Sequence, residues 1–144
     1  MNKRYILIAE DDMDDRYLMK AALEETGITE EARYVENGVE VINYLEAVVE
    51  KNGIYNYPNL ILLDLNMPKM DGREVLKKIK SHKAYRKIPV VIFSTTKNQL
   101  EVNRCYDLGA NTYVIKPVSY DSLVETIRQI CAYWFNTATL LENN

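Results

Sequence analysis

The run Leu60-Ile61-Leu62-Leu63 is apolar at every position and stops at Asp64. Consecutive apolar residues leave no face for solvent, which fits a parallel strand covered on both sides. A second run, Tyr5-Ile6-Leu7-Ile8-Ala9, stops at Glu10-Asp11-Asp12, and a third, Thr112-Tyr113-Val114-Ile115, stops at Lys116-Pro117. Two more short strands are predicted at about 32–35 and 89–93. Helical stretches separate them. One covers about 14–25, with Leu18, Ala21, Ala22 and Glu25 in period and Tyr17 near the apolar side. A second carries Val41, Ile42, Leu45, Val48 and Val49 on one face and runs to about Lys51; others cover about 74–79 and 99–108, and the last opens at Tyr120-Asp121. Strict βα alternation predicts an α/β fold, a doubly wound five-stranded parallel sheet with five helices. Chemistry in such sheets collects at the carboxyl ends of the strands. The acidic cluster, Asp64, Ser94 and Lys116 all fall there.

The 144 residues fit one domain, read as 4–144 with no output domain. A net charge of -3 and 27% charged residues give no nucleic-acid footprint. The Lys77-Lys78-Ile79-Lys80 run reads as a solvated helix face. Cys105 and Cys131 match no metal or redox spacing and are expected as free core thiols. No apolar run approaches the roughly 18 residues of a membrane span, and the N-terminus lacks a signal sequence, so a cytoplasmic protein is expected.

The strand-end residues define an oxygen-rich site that suits Mg²⁺. Asp11 and Asp64 are the expected direct ligands, Glu10 acting directly or through water, and the backbone oxygen of Asn66 completing the set. Asp64, flanked by Leu63 and Leu65, needs a partner if buried. A cation lets a carboxylate among carboxylates stay ionised, and an ionised Asp can attack phosphorus. Lys116 and the Ser94 hydroxyl would stabilise the equatorial oxygens of the transferring group. Lys116 could equally pair with Asp64 beforehand, and Thr95 and Thr96 compete with Ser94 as the hydroxyl. Strand alternation puts Ser94 and Thr96 on one side and Thr95 on the other. Pro68 and the Asp71-Gly72 turn make a rigid lead into the next helix; Pro117 pins the loop that aims Lys116, and the sequence leaves open whether its peptide bond is cis.

Glu10-Asp11-Asp12, the stretch from Asp64 through Met67-Pro68 to Met70-Asp71-Gly72, Ser94-Thr95 and Lys116-Pro117 together resemble a two-component response regulator receiver domain. The resemblance spans about residues 4–135 and implies a flavodoxin-like, CheY-like fold with strand order 2-1-3-4-5. It implies Asp64 as phosphoacceptor from a sensor histidine kinase or phosphotransfer protein, Glu10 and Asp11 as the acidic pair, Ser94 as switch hydroxyl and Tyr113 as switch aromatic. The long Asp11 to Asp64 interval and the segment Arg104 to Asn111 are similar to stand-alone regulators associated with bacterial phytochromes.

In the last helix Leu123, Ile127, Ile130, Cys131, Trp134, Ala138 and Leu141 recur at three- and four-residue steps. A helix from 121 to 141 would be roughly 31 Å long and outrun the sheet. Its Tyr133, Trp134 and Phe135 are then expected, with Tyr113 and the 99–108 helix, in a protein contact that forms a homodimer. Output is expected to pass through a downstream protein target. Three alternatives also build on an α/β sheet. A flavin-binding domain would want a phosphate loop after the first strand, where Glu10-Asp11-Asp12 would repel the cofactor phosphate. A phosphotransferase with a nucleophilic aspartate would want a second carboxylate where Asn66 stands. A phosphorylation-independent interaction module would not need the full acidic set with Lys116.

Overall fold

The computed structural model describes residues 3–140. The elements in chain order are β1 (Tyr5–Ala9), α1 (Met13–Thr26), β2 (Glu31–Val35), α2 (Gly38–Glu46), β3 (Glu50–Lys51), β4 (Ile54–Tyr55), β5 (Leu60–Leu63), α3 (Gly72–Ser81), β6 (Val90–Ser94), α4 (Gln99–Asp107), β7 (Thr112–Ile115) and α5 (Tyr120–Cys131). The main sheet has the order β2-β1-β5-β6-β7 and its pairs are all parallel. Setting aside the small β3-β4 hairpin, that is the expected 2-1-3-4-5 order.

The apolar runs become strands because both of their faces are covered. Alternate residues feed two cores. Leu7, Ile61, Leu63, Val90 and Ile92 pack with Val41, Leu45, Val75, Leu76, Ile79 and Cys105, the inner faces of α2, α3 and α4. Ile6, Ile8, Leu60, Leu62, Val91 and Phe93 pack with Met19, Ala22, Leu23, Leu123, Val124 and Ile127 of α1 and α5. Side-chain caps start every helix that follows a strand of the main sheet: Asp12, Asn37, Asp71, Asn98 and Ser119 each accept a backbone N–H from the first turn.

Several expected details change. The buried face of α1 is Met19, Ala22 and Leu23, while Tyr17 is 72% exposed and Leu18 40%. The stripe read from Leu18 and Ala21 was rotated by one position. α2 stops at Glu46, and Val49 stands exposed ahead of an antiparallel hairpin in place of a longer helix. The cause is Asn52-Gly53, whose φ angles of 56° and 80° make the turn that joins two short strands. Lys80 leaves the solvated face assigned to it. Its Nζ donates to the carbonyls of Arg86 (3.1 Å) and Ile88 (2.8 Å) and to Asn111 Oδ1 (3.0 Å), and burial pushes the ammonium down to about 8.

The end of the last helix differs most. After Cys131 the backbone widens into π-helical turns over Ala132–Thr137, and Ala138 is extended. Leu141 lies outside the described residues. The wider turn brings Phe135 into the core beside α5, where Arg4 sits 5.5 Å above its ring and donates to its carbonyl at 2.9 Å. Phe135 is therefore a core residue and not the contact residue it was expected to be. Tyr133 stays 53% exposed, and Trp134 is half-buried with its ring edge-on to Tyr133 at 5.0 Å.

Candidate functional site: an acidic pocket with one lysine

The sheet ladder runs straight into the site. Ala9 is level with Leu63, and the Asp64 N–H donates to the Ala9 carbonyl at 3.1 Å. On the far side, the Lys116 N–H donates to the Ser94 carbonyl at 2.8 Å. Strand pairing thus sets Glu10, Asp64, Ser94 and Lys116 on one edge before any side chain is considered.

There the side chains meet. Carboxylate oxygens of Glu10, Asp11 and Asp64 lie within 4.8 Å of one another. Glu10 and Asp64 are buried and Asp11 is exposed. The Lys116 ammonium contacts Glu10 Oε1 and stands 3.8 Å from Asp64 Oδ1 and 3.6 Å from Asp15 Oδ2. Glu10 Oε2 also accepts the Asp12 N–H at 3.2 Å.

The electrostatics follow from burial among like charges. Burial pushes Glu10 up to about 7, against the hydrogen bond from Lys116. Burial also raises Asp64, with the Lys116 charge working the other way. For Lys116 burial alone would lower the ammonium. The bond to Glu10 and the charge of Asp64 outweigh it and hold it above its ordinary value. One cation among these acids leaves an excess of negative charge, and the donor atoms on offer are all oxygen. That is the chemistry of a hard divalent cation.

The connection from β5 to α3 is shaped around Asp64. Leu65 and Met67 are buried while Asn66 and Pro68 face outward. Gly72 N–H donates to the Leu65 carbonyl at 2.8 Å. A Cβ at Gly72 would stand 2.4 Å from the Asp64 carbonyl oxygen, so only glycine lets α3 start this close. The Lys116–Pro117 bond is trans. Ser94 is fully buried and its Oγ accepts the Thr96 N–H at 3.2 Å, whereas Thr95 points to solvent. Tyr113 packs against the α2/α3/α4 core, and its hydroxyl donates to the Thr96 carbonyl at 2.8 Å.

Three further groups went unread in the sequence. Arg16 donates from Nη1 to the carbonyls of Glu10 (2.7 Å) and Asp11 (3.0 Å) and pairs with Glu36 at 3.4 Å. It fastens the acidic loop to α1. Arg73, directly after Gly72, pairs with Glu101 in the first turn of α4. Asp15, in the first turn of α1, reaches the Lys116 ammonium. Charged residues on helices read as solvated, so no sequence signal marked these three.

Comparison with known proteins agrees with this geometry. Residues 6–128 match the response regulator receiver domain family. The probable methanogenesis regulatory protein FilR2 of Methanothrix harundinacea is 36% identical over 90% of this chain and 82% of its own. Response regulator Rcp1 of Synechocystis sp. is 36% identical over 95% of this chain and 92% of its own. The crystal structure of its Mn²⁺-bound form has a TM-score of 0.84 over 96% of this chain and 99% of that one. The structure of the phosphorylated cyanobacterial phytochrome response regulator RcpA is 38% identical, with a TM-score of 0.85 over 96% and 99% of the two chains. No described helix is long and apolar enough to cross a membrane. The chain belongs to the response regulator receiver domains of two-component signalling and is similar to regulators of the phytochrome-associated kind.

Proposed function

We propose that the protein takes a phosphoryl group onto Asp64 from the phosphohistidine of a sensor histidine kinase or phosphotransfer protein, with Mg²⁺ as cofactor. One arrangement carries the reading: the buried Asp64 carboxylate, within 4.8 Å of two other carboxylates and 3.8 Å from a lysine ammonium. The Mn²⁺-bound form of Rcp1 supports a divalent cation at such a site. Here Asp11, Asp64 and the Asn66 carbonyl would hold it, with Glu10 joining directly or through water. Bound there, the cation supplies the positive charge that keeps Asp64 ionised and offsets charge on the phosphoryl oxygens.

An Asp64 oxygen forms the bond to phosphorus as the bond from phosphorus to the donor imidazole breaks, its electron pair leaving with the imidazole. Lys116 turns from Glu10 to a phosphoryl oxygen, and the Ser94 hydroxyl turns from the Thr96 N–H to another. Tyr113, tied to the same loop through Thr96, follows that loop and alters the surface of α4, β7 and α5. The protein acts on itself and on no external substrate, and it works in the cytoplasm.

That surface is our proposed contact for a downstream protein and for a second copy of the chain. Tyr113, Tyr133 and Trp134 take part, with Leu100 and Ile115 exposed on the same elements. Sedimentation with and without an acyl-phosphate mimic tests the homodimer, and a monomer in both states, unchanged by Trp134→Ala, rules it out.

The phosphoryl chemistry is tested by incubation with acetyl phosphate and Mg²⁺ followed by intact-mass measurement. We expect a single labile phosphoryl adduct, absent from Asp64→Ala. An adduct of equal yield in that variant would defeat the reading.

A further inference from the structure

Lys116 faces one carboxylate more than the acidic pocket supplies. Glu10 and Asp64 belong to the pocket, but Asp15 comes from the first turn of α1 and lies outside the three-carboxylate cluster. Its backbone N–H is held by Asp12 Oδ1 at 2.9 Å, which fixes the turn that carries it. Its carboxylate stands 3.6 Å from the Lys116 ammonium and is 46% exposed. Asp15 and Lys116 together line a cavity of about 280 Å³ between α1 and the start of α5, whose other walls include Leu18, Pro117 and Ser119. One of its walls, Lys116, reaches to 3.8 Å from Asp64 Oδ1.

Two consequences follow from that placement. A cation held by Glu10, Asp11 and Asp64 does not neutralise Asp15, so its charge persists in the loaded pocket. Lys116 must also leave Asp15 wholly or in part to reach a phosphoryl oxygen. As Lys116 turns to the phosphoryl group, Asp15 loses its partner charge and is left as a bare carboxylate beside the incoming donor.

We infer that Asp15 is a positioning residue that discriminates among phosphodonors by charge. It holds the Lys116 ammonium back and disfavours small donors that carry more negative charge relative to those that carry less. The inference rests on the reading of Asp64 as phosphoacceptor. The chemistry of transfer is unchanged by it. An Asp64 oxygen bonds to phosphorus as the old bond breaks. Acetate leaves acetyl phosphate with the electron pair as a carboxylate, and the already protonated nitrogen of phosphoramidate leaves as ammonia. At neutral pH acetyl phosphate carries more negative charge than phosphoramidate, so the two donors report on Asp15 differently.

The test follows phosphoryl incorporation by intact mass with Mg²⁺ and each donor in turn, for the full chain, Asp15→Asn and Asp15→Glu. At low salt Asp15→Asn should speed incorporation from acetyl phosphate by roughly threefold to tenfold, and from phosphoramidate by distinctly less. Asp15→Glu should keep the wild-type ratio of the two rates. At about 1 M salt the ratios should converge, because a through-solvent charge effect is screened there. A wild-type ratio for Asp15→Asn at low salt overturns the role of Asp15 alone, as does a change in that ratio that salt does not touch. A wild-type chain that gains no phosphoryl group from either donor overturns the reading of Asp64 first, and the role of Asp15 with it.

Discussion

Helices α4 and α5 flank the same edge of the sheet but are held there by different forces. α5 buries Leu123, Val124, Ile127, Ile130 and Cys131 against β1, β5 and β6. α4 buries one residue, Cys105. What fixes α4 is a set of polar ties. Arg73 at the start of α3 pairs with Glu101, the Tyr106 hydroxyl accepts the Tyr113 N–H at 3.0 Å, and the Tyr113 hydroxyl donates to the Thr96 carbonyl just ahead of the helix. Apolar burial resists displacement in every direction. A few hydrogen bonds and an ion pair can be exchanged for others at small cost. Under the proposed function, a charge change at Asp64 would move α4 while α5 stays in place, dividing the two helices into a responsive element and a fixed one.

The largest expected effect lies on the fixed side. Ile127→Ala removes a buried side chain from the α1/α5 core and should cost about 2–5 kcal/mol in urea unfolding. A loss no greater than that of a surface substitution would mean that α5 is not an apolar anchor. Next comes the pocket, where stability depends on pH. An unfolded chain ionises Glu10 near 4.5, while the folded chain keeps the proton up to about 7. Between those values the folded state binds more protons than the unfolded state, so this group's contribution is full below 4.5 and is lost as pH rises to about 7. The urea midpoint of the metal-free protein should thus fall between about pH 5 and about pH 8 by more than that of Glu10→Gln. Parallel falls would show that Glu10 is not the group responsible.

The same division explains what the sequence reveals. The fixed parts were legible because burial leaves a pattern. Short apolar runs marked β1, β5 and β7, and the charges that end those runs marked the pocket at Glu10, Asp11, Asp64 and Lys116. The misreadings fall where a pattern has two solutions. Leu18 and Met19 both fit a helical stripe on α1, and only packing against α5 chose Met19. Trp134 and Phe135 both continue the stripe of α5, and the π-helical turns chose Phe135. The Asn52-Gly53 pair was a hairpin signal in plain view, outweighed by the apolar period of the preceding helix. The polar ties of α4 were invisible. Arg73 and Glu101 are 28 residues apart, and nothing about a charged helix residue says which distant charge it will meet.

The smallest effects on stability should be the most informative about α4. Arg73→Ala or Glu101→Ala removes an ion pair with partly exposed side chains, so unfolding should change by no more than about 1 kcal/mol. Leu100→Ala, at a residue 78% exposed, should change it by no more than about 0.5 kcal/mol. If polar ties set the position of α4, the two kinds of variant part company in hydrogen exchange. Loss of Arg73 or Glu101 should speed exchange of the amides of 99–107 well beyond what the small change in global stability explains, and leave 123–131 unaffected. Leu100→Ala should speed neither. The charge-reversed pair Arg73→Glu with Glu101→Arg should restore slow exchange in α4, because the tie needs opposite charges and not a particular order. Exchange in α4 that tracks global stability in every variant would mean that the Arg73–Glu101 pair does not set the position of the helix, and the contrast with α5 would then be one of degree.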